Sequence, residues 1–235
     1  MTRAVFVPGL LCTDELFESQ RRALSGTLEM FIGDHRSHNN FEGMAKHILS
    51  NAPEKFIFAG LSMGGYAGFE IMRQAPERVQ ALVLMNTSAR PDAPEQTERR
   101  KGLVEMANAQ GVDAVVDAVL PAFLAEQNQG NTDLTDTVRQ MARETGLECF
   151  LNQISAIMSR VNSAPLLQMI SCPTLVIVGA NDTLTPPELA REIVDGISGA
   201  ELAVIDYCGH LAAIEQPDAV SNAIKSFLER EGVSS

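Results

Sequence analysis

Lys55-Phe56-Ile57-Phe58-Ala59-Gly60-Leu61-Ser62-Met63-Gly64-Gly65-Tyr66 is the stretch around which the rest of the chain is organised. Its short apolar run, bounded by glycine, reads as a buried strand. The residues after Gly65, with Phe69, Ile71 and Met72 among alanine and charge, read as a helix. Between them lies Gly-x-Ser-x-Gly. A strand-to-helix turn this tight leaves no room for side chains at the flanking positions, which accounts for Gly60 and Gly64. The turn lifts the Ser62 hydroxyl clear of the backbone, in a strained conformation, at the start of the following helix. The first amides of a helix lack partners, so the Met63 N–H can point at the oxyanion formed when Ser62 attacks a carbonyl. The alternative is a Gly-rich turn that only packs helix on strand; the strand-before, helix-after context favours chemistry.

Outward from this turn, buried runs alternate with helical patterns. Ala4 to Val7 is a β-rich run ending in Pro8-Gly9-Leu10-Leu11, and Leu28 to Ile32 a second, followed by Asp34-His35-Arg36-Ser37-His38. Val79 to Met85, Thr174 to Val178 and Leu202 to Ile205 complete six strands, and the helix from Pro217 to Glu229 closes the domain. Thr185-Pro186-Pro187-Glu188 predicts a helix start with Thr185 as N-cap and Pro186 at the first helical position. Six strands alternating with helices predict an α/β, doubly wound, mostly parallel sheet. From Arg90 to Ala164 the character changes. Val112, Val115, Val116, Val119, Leu120 and Phe123 share one helical face, and Leu147, Phe150, Leu151, Ile154, Ile157 and Met158 another. Leu134, Val138 and Met141 form a weaker stripe, and Leu103 with Met106 a fourth. No strand candidate separates them, so residues 90–164 are expected to form a helical cap inserted into a core domain of residues 1–89 and 165–235. Gly232 to Ser235 reads as a disordered tail.

Composition narrows the partners. The 235 residues carry a formal net charge of −12, with 45% hydrophobic and 20% charged residues. A soluble chain this acidic repels nucleic acid and anionic membrane surfaces, so neither is an expected partner. The four cysteines, Cys12, Cys149, Cys172 and Cys208, lack metal-ligand spacing and are expected to be buried free thiols. Pro8-Gly9 breaks the N-terminal apolar run, no small-residue cleavage site follows, and no stretch is long enough to span a bilayer. The expected compartment is the cytoplasm. There is no metal motif and no nucleotide-binding loop, and oligomeric state is not encoded legibly.

Ser62, Asp182 and His210 each follow a strand, and open α/β sheets gather residues at those strand ends. A serine hydroxyl needs a histidine to take its proton, and the histidine needs an acid to fix its tautomer. Asp206 also ends a strand and competes with Asp182. Asn86 ends the fourth strand without supplying an acid. His47 reads as a surface residue, His35 and His38 as structural hydrogen-bonding groups with substrate contact the lesser alternative, and Arg99-Arg100-Lys101 as a solvated helix face. Glu215 reads as either a motif position or a solvated residue near a helix start. Cys208 reads as a packing residue beside His210.

Gly60-Leu61-Ser62-Met63-Gly64-Gly65, Gly179-Ala180-Asn181-Asp182 with Pro186-Pro187, and Gly209-His210 with Glu215 and Pro217 together resemble the α/β-hydrolase superfamily over essentially the whole chain. Asp34 to His38 is similar to the family's Asp-x-Arg-Gly-His segment, without its glycine. Pro8-Gly9 stands where many members have His-Gly. The resemblance implies catalysis by Ser62, Asp182 and His210, and an oxyanion hole from the amides of Leu10 and Met63. It also implies a sheet lacking the first two family strands, in the order 2-1-3-4-5-6. The expected function is a cofactor-free serine hydrolase acting on a small to medium carboxylic ester through an acyl-enzyme. Leu10, Leu11, Met63 and cap residues would form its apolar acyl pocket. Serine at position 62 argues against the aspartate-nucleophile dehalogenases and epoxide hydrolases. Enol-lactone or other lactone hydrolysis, thioester hydrolysis and carbon–carbon cleavage remain open, as does a non-catalytic ligand-binding protein on the same fold.

Overall fold

The computed structural model describes residues 1–233. Six parallel strands, β1 (Thr2–Val7), β2 (Leu28–Ile32), β3 (Phe56–Leu61), β4 (Val79–Met85), β5 (Thr174–Gly179) and β6 (Glu201–Ile205), form one sheet in the order β2-β1-β3-β4-β5-β6. This is the predicted order. Every residue of β3 and β5 is buried, which explains why these strands read as unbroken apolar runs rather than alternating ones. The order reverses at β1, so the loops after β1 and β3 leave adjacent strands side by side.

Helices α1 (Glu18–Ala23), α2 (Phe41–Asn51) and α3 (Met63–Gln74) belong to the first half of the chain. α3 lies against β1, β3 and β4, and α2 packs on it. Phe41, Met44, Ala45, Ile48 and Leu49 of α2 are buried at helical spacing, and the Asn40 side chain caps the start by accepting from the Gly43 N–H at 2.8 Å. Between β4 and β5 come α4 (Pro94–Gln110), α5 (Val112–Phe123), α6 (Thr132–Ser159) and the short α7 (Ala164–Leu167). α5 and α6 pack together through two of the predicted stripes, whereas α4 buries only Ala107 fully. α6 is bent at Gly146, whose φ of 74° and ψ of 171° interrupt the helix. That break explains why the sequence shows two stripes rather than one. The ends of this helical stretch are tied together. Arg160 meets the buried Asp92 carboxylate at 2.6 Å and lies 4.3 Å over the Tyr66 ring.

α8 (Pro187–Gly196), α9 (Ala212–Glu215) and α10 (Pro217–Arg230) complete the chain, with α10 against β5 and β6 and packed on α1. Three sequence expectations need correction. α8 begins one residue later than predicted, with Pro186 at the cap position, because Asp182 has drawn Thr185 away. Arg100 is not merely solvated: it pairs with Asp92 at 2.7 Å, while Lys101 pairs with Glu98. Of the tail expected to be disordered, Ser234 and Ser235 lie outside the described residues. Gly232 and Val233 are held, since the Val233 N–H donates to the Leu228 carbonyl at 3.1 Å and its own carbonyl accepts from the Thr2 hydroxyl at 2.9 Å. Among the described residues, no helix is long and apolar enough to cross a membrane and no acid, histidine and cysteine cluster could hold a metal.

Candidate active site

Ser62 sits between β3 and α3 at φ 55°, ψ −111°, a conformation that L-residues seldom adopt. Its shortest backbone bonds hold it there. Its N–H donates to the Met85 carbonyl at 2.8 Å, and its carbonyl accepts from the Gly65 N–H at 2.9 Å and the Thr87 hydroxyl at 2.8 Å. A Cβ on Gly60 would overlap the Gly64 backbone, and one on Gly64 would overlap the Val7 carbonyl. The glycines of the motif therefore allow backbone to pass backbone, as the sequence pattern implies.

The three polar residues expected to converge do so. His210 Nε2 lies 2.8 Å from Ser62 Oγ, and His210 Nδ1 lies 2.8 Å from Asp182 Oδ2. With Asp182 ionised, Nδ1 carries the proton and donates to the carboxylate, leaving Nε2 to accept from the serine hydroxyl. Ser62 is partly exposed while His210 and Asp182 are buried, so this chain of hydrogen bonds opens to solvent only at Ser62. Asp206, the competing acid, is exposed.

The Asp182 carboxylate has more support than the sequence discloses. Oδ1 accepts from the N–H groups of Leu184 and Thr185, at 2.9 and 3.0 Å, and Oδ2 accepts from the Thr185 hydroxyl at 2.6 Å and Asn86 Nδ2 at 2.9 Å. Burial alone would push this carboxyl up. The charge and hydrogen bond of His210, followed by the Thr185 bonds, outweigh it and bring the pKa down to about 2. Asn86 also donates to the Gly209 carbonyl at 3.0 Å, joining the acid loop to the histidine loop.

His210 is held from the helical stretch as well. The Phe123 carbonyl, at the end of α5, accepts from both the His210 and Leu211 N–H groups at 3.1 Å, and its ring stacks on the imidazole with centroids 5.9 Å apart. Glu215, one of whose readings was a solvated residue, is buried. It accepts from the Gly209 N–H at 3.0 Å and from the Ala125 N–H and Asn128 Nδ2 at 2.8 Å. Burial raises its pKa against these bonds.

Met63 is the first residue of α3, directly after Ser62, and Leu10 follows Gly9, where a Cβ would lie 3.5 Å from that of Ser62. Among the described residues, neither backbone N–H has an acceptor within hydrogen-bonding reach. Of the three apolar residues expected to line an acyl pocket, Leu10 keeps 8% of its surface while Leu11 (1%) and Met63 (0%) are packed into the core. His35 is buried and bonded through Nε2 to the Cys12 carbonyl at 2.9 Å, His38 contacts the Ser37 hydroxyl, and His47 pairs with Asp34 at 3.4 Å. All four cysteines are free. Cys12 and Cys208 are buried, but Cys149 and Cys172 are only partly so. Burial, together with the charges of Glu215 and Asp182, pushes the Cys208 thiol up, so it is no rival to Ser62.

An open parallel sheet in this order, with a strained serine at the turn beside its reversal point, is the α/β-hydrolase fold. The chain belongs to the hydrolase family described as serine aminopeptidase, S33, which matches residues 20–217. It is 31% identical over 194 residues to BpoC of Mycobacterium tuberculosis, a protein provisionally named a non-heme bromoperoxidase, covering 76% of this chain and 69% of that one. A thermophilic esterase from Thermogutta terrifontis, solved with malate bound, superposes with a TM-score of 0.90 at 28% identity, over 98% of this chain and 90% of the other. The enol-lactonase of Burkholderia xenovorans LB400 gives 0.87 at 26% identity, over 97% and 91%.

Proposed function

We propose that the protein is a serine hydrolase that cleaves a small to medium carboxylic ester through an acyl-enzyme. The observation that carries this reading is the continuous relay from Ser62 Oγ through His210 to Asp182, with 2.8 Å at each junction. Ser62 attacks the ester carbonyl while His210 Nε2 takes its proton, and the amides of Leu10 and Met63 receive the negative oxygen. The tetrahedral intermediate collapses, the carbon–oxygen bond breaks, and His210 gives its proton to the leaving alkoxide. Water then attacks the acyl-enzyme with His210 as base, returning Ser62 and releasing the acid. Asp182 orients the imidazole and stabilises its charged form. Each step uses groups of the chain itself. Residues 90–164 are read as a cap, a view supported by the bonds from Phe123 to the histidine loop.

Hydrolysis of p-nitrophenyl esters from acetate to laurate tests the reading. Wild type should turn over short or medium chains, and Ser62→Ala should lose at least about 10,000-fold in kcat. Full activity in Ser62→Ala would refute the mechanism. A second reading, hydrolysis of an enol-lactone or related lactone by the same triad, is favoured by the similarity to the Burkholderia enol-lactonase. Turnover of lactones faster than of linear esters would select it.

A further inference from the structure

Leu11 follows the proposed oxyanion donor Leu10 and has φ 60°, in the left-handed region that suits glycine rather than leucine. The turn that contains both is closed by the Cys12 N–H donating to the Gly9 carbonyl at 3.2 Å. With a positive φ only at its second corner it is a type II turn, whose second corner is ordinarily glycine. Its central peptide would relax if Leu11 fell back to negative φ, and something must prevent that.

The Leu11 N–H donates to Gln153 Oε1 at 3.1 Å. Gln153 lies in the part of α6 beyond the Gly146 bend, 142 residues away in sequence, and is 0% exposed. Its Nε2 is buried with no partner among the described residues. Leaving an amide NH2 unsatisfied is a costly way to pack a helix, and methionine would fill the same space without that penalty. What glutamine adds is one acceptor, and that acceptor meets Leu11. From the other side, His35 Nε2 holds the Cys12 carbonyl at 2.9 Å. The turn bearing Leu10 is thereby held from outside at two points, the Leu11 N–H by α6 and the Cys12 carbonyl by His35.

We infer that Gln153 is a positioning residue for the oxyanion hole: by holding the Leu11 N–H it fixes the Leu10–Leu11 peptide, the one directly after the Leu10 N–H, and so anchors the strained turn that carries that amide beside the reacting oxygen. The inference rests on the serine-hydrolase reading and extends it. The α6 segment then supports the oxyanion hole through Gln153, a contact separate from the hydrogen bonds that join Ser62, His210 and Asp182.

The test is the rate at which an alkyl fluorophosphonate modifies Ser62. In that reaction Ser62 Oγ bonds to phosphorus, fluoride leaves, the serine proton goes to His210, and the phosphoryl oxygen occupies the oxyanion hole. Wild type, Gln153→Met, Gln153→Asn and Gln153→Glu are compared per folded molecule, with butyrate binding as the measure of ground-state affinity. Asparagine keeps the polarity but is one methylene too short to reach, so Gln153→Asn and Gln153→Met should both react about 10- to 100-fold more slowly with butyrate affinity unchanged. Gln153→Glu, which retains an oxygen at the acceptor position, should recover most of that loss. Wild-type rates in folded Gln153→Met or Gln153→Asn would overturn the inference alone, as would a slowing matched by weaker butyrate binding. A wild type that does not react would overturn the hydrolase reading and the inference with it.

Discussion

Asp182 Oδ2 gathers donors from His210, Thr185 and Asn86, three residues that lie in different loops. One oxygen thus sets the direction of the imidazole, and the other two donors fix where that oxygen points. Thr185→Val removes the shortest of these bonds and leaves the volume almost unchanged. It should lower kcat/KM by about 10-fold, the scale of one hydrogen bond to a charged group, with KM nearly constant; steady-state kinetics on the best ester reads this directly. Ser62, Asp182 and His210 were legible in the sequence because each follows an apolar strand run and brings its own local motif. Thr185 was not, since Thr-Pro-Pro-Glu looks locally like a helix cap and only the folded acid loop claims its hydroxyl and N–H. Asn86 was weighed as a missing acid, whereas the structure makes it a donor. Glu215 could not be placed because two of its partners, Ala125 and Asn128, lie about 90 residues upstream. Gln153 carries no sequence signal of its own, because a helical stripe is a pattern of apolar residues and its one polar member stands out only in the fold.

The elements divide between those whose apolar pattern is self-sufficient and those whose shape depends on a single backbone position. The bounds of β2 and β4 match the sequence reading: β4 is a buried parallel strand and so a short apolar run with punctuated ends, whereas β2 is an edge strand that buries only Leu28 and is marked out by Gly26 and Gly33. α6 is the opposite case. Its two stripes were visible, but the angle between them is set by Gly146, whose φ of 74° with ψ of 171° belongs almost to glycine alone. No neighbour lies within 4 Å of a Cβ placed there, so the demand is conformational rather than steric. Gly146→Ala should therefore destabilise the protein by about 1–3 kcal/mol, measured by urea unfolding. It should also slow ester hydrolysis by more than the lost stability explains, because the segment that swings carries Gln153.

For the molecule as a whole, acid is the revealing condition. The Asp182 carboxyl titrates at about 2 in the folded protein against 3.8 as an ordinary aspartate, so the folded state binds its proton more weakly than the unfolded chain does. Its contribution, about 2 kcal/mol, is present above pH 4 and disappears as pH falls towards 2. Glu215 works the other way: its raised pKa means that protonation on acidification favours the fold. The stability gap between wild type and Asp182→Asn, from urea midpoints, should shrink steadily between pH 4 and pH 2. A gap that stays constant would mean that Asp182 is not held ionised by the fold. The Asp92 and Arg160 pair carries a practical consequence of a different kind. Because these two residues tie the ends of the helical stretch together beside Tyr66, the cap reading of residues 90–164 predicts that the stretch between them can be exchanged as a cassette. A segment transplanted from a relative would find its anchor already built. It would support chemistry only if it also brought an oxygen to the Leu11 N–H and a carbonyl to the histidine loop, so substrate range and turnover in this scaffold are inherited together.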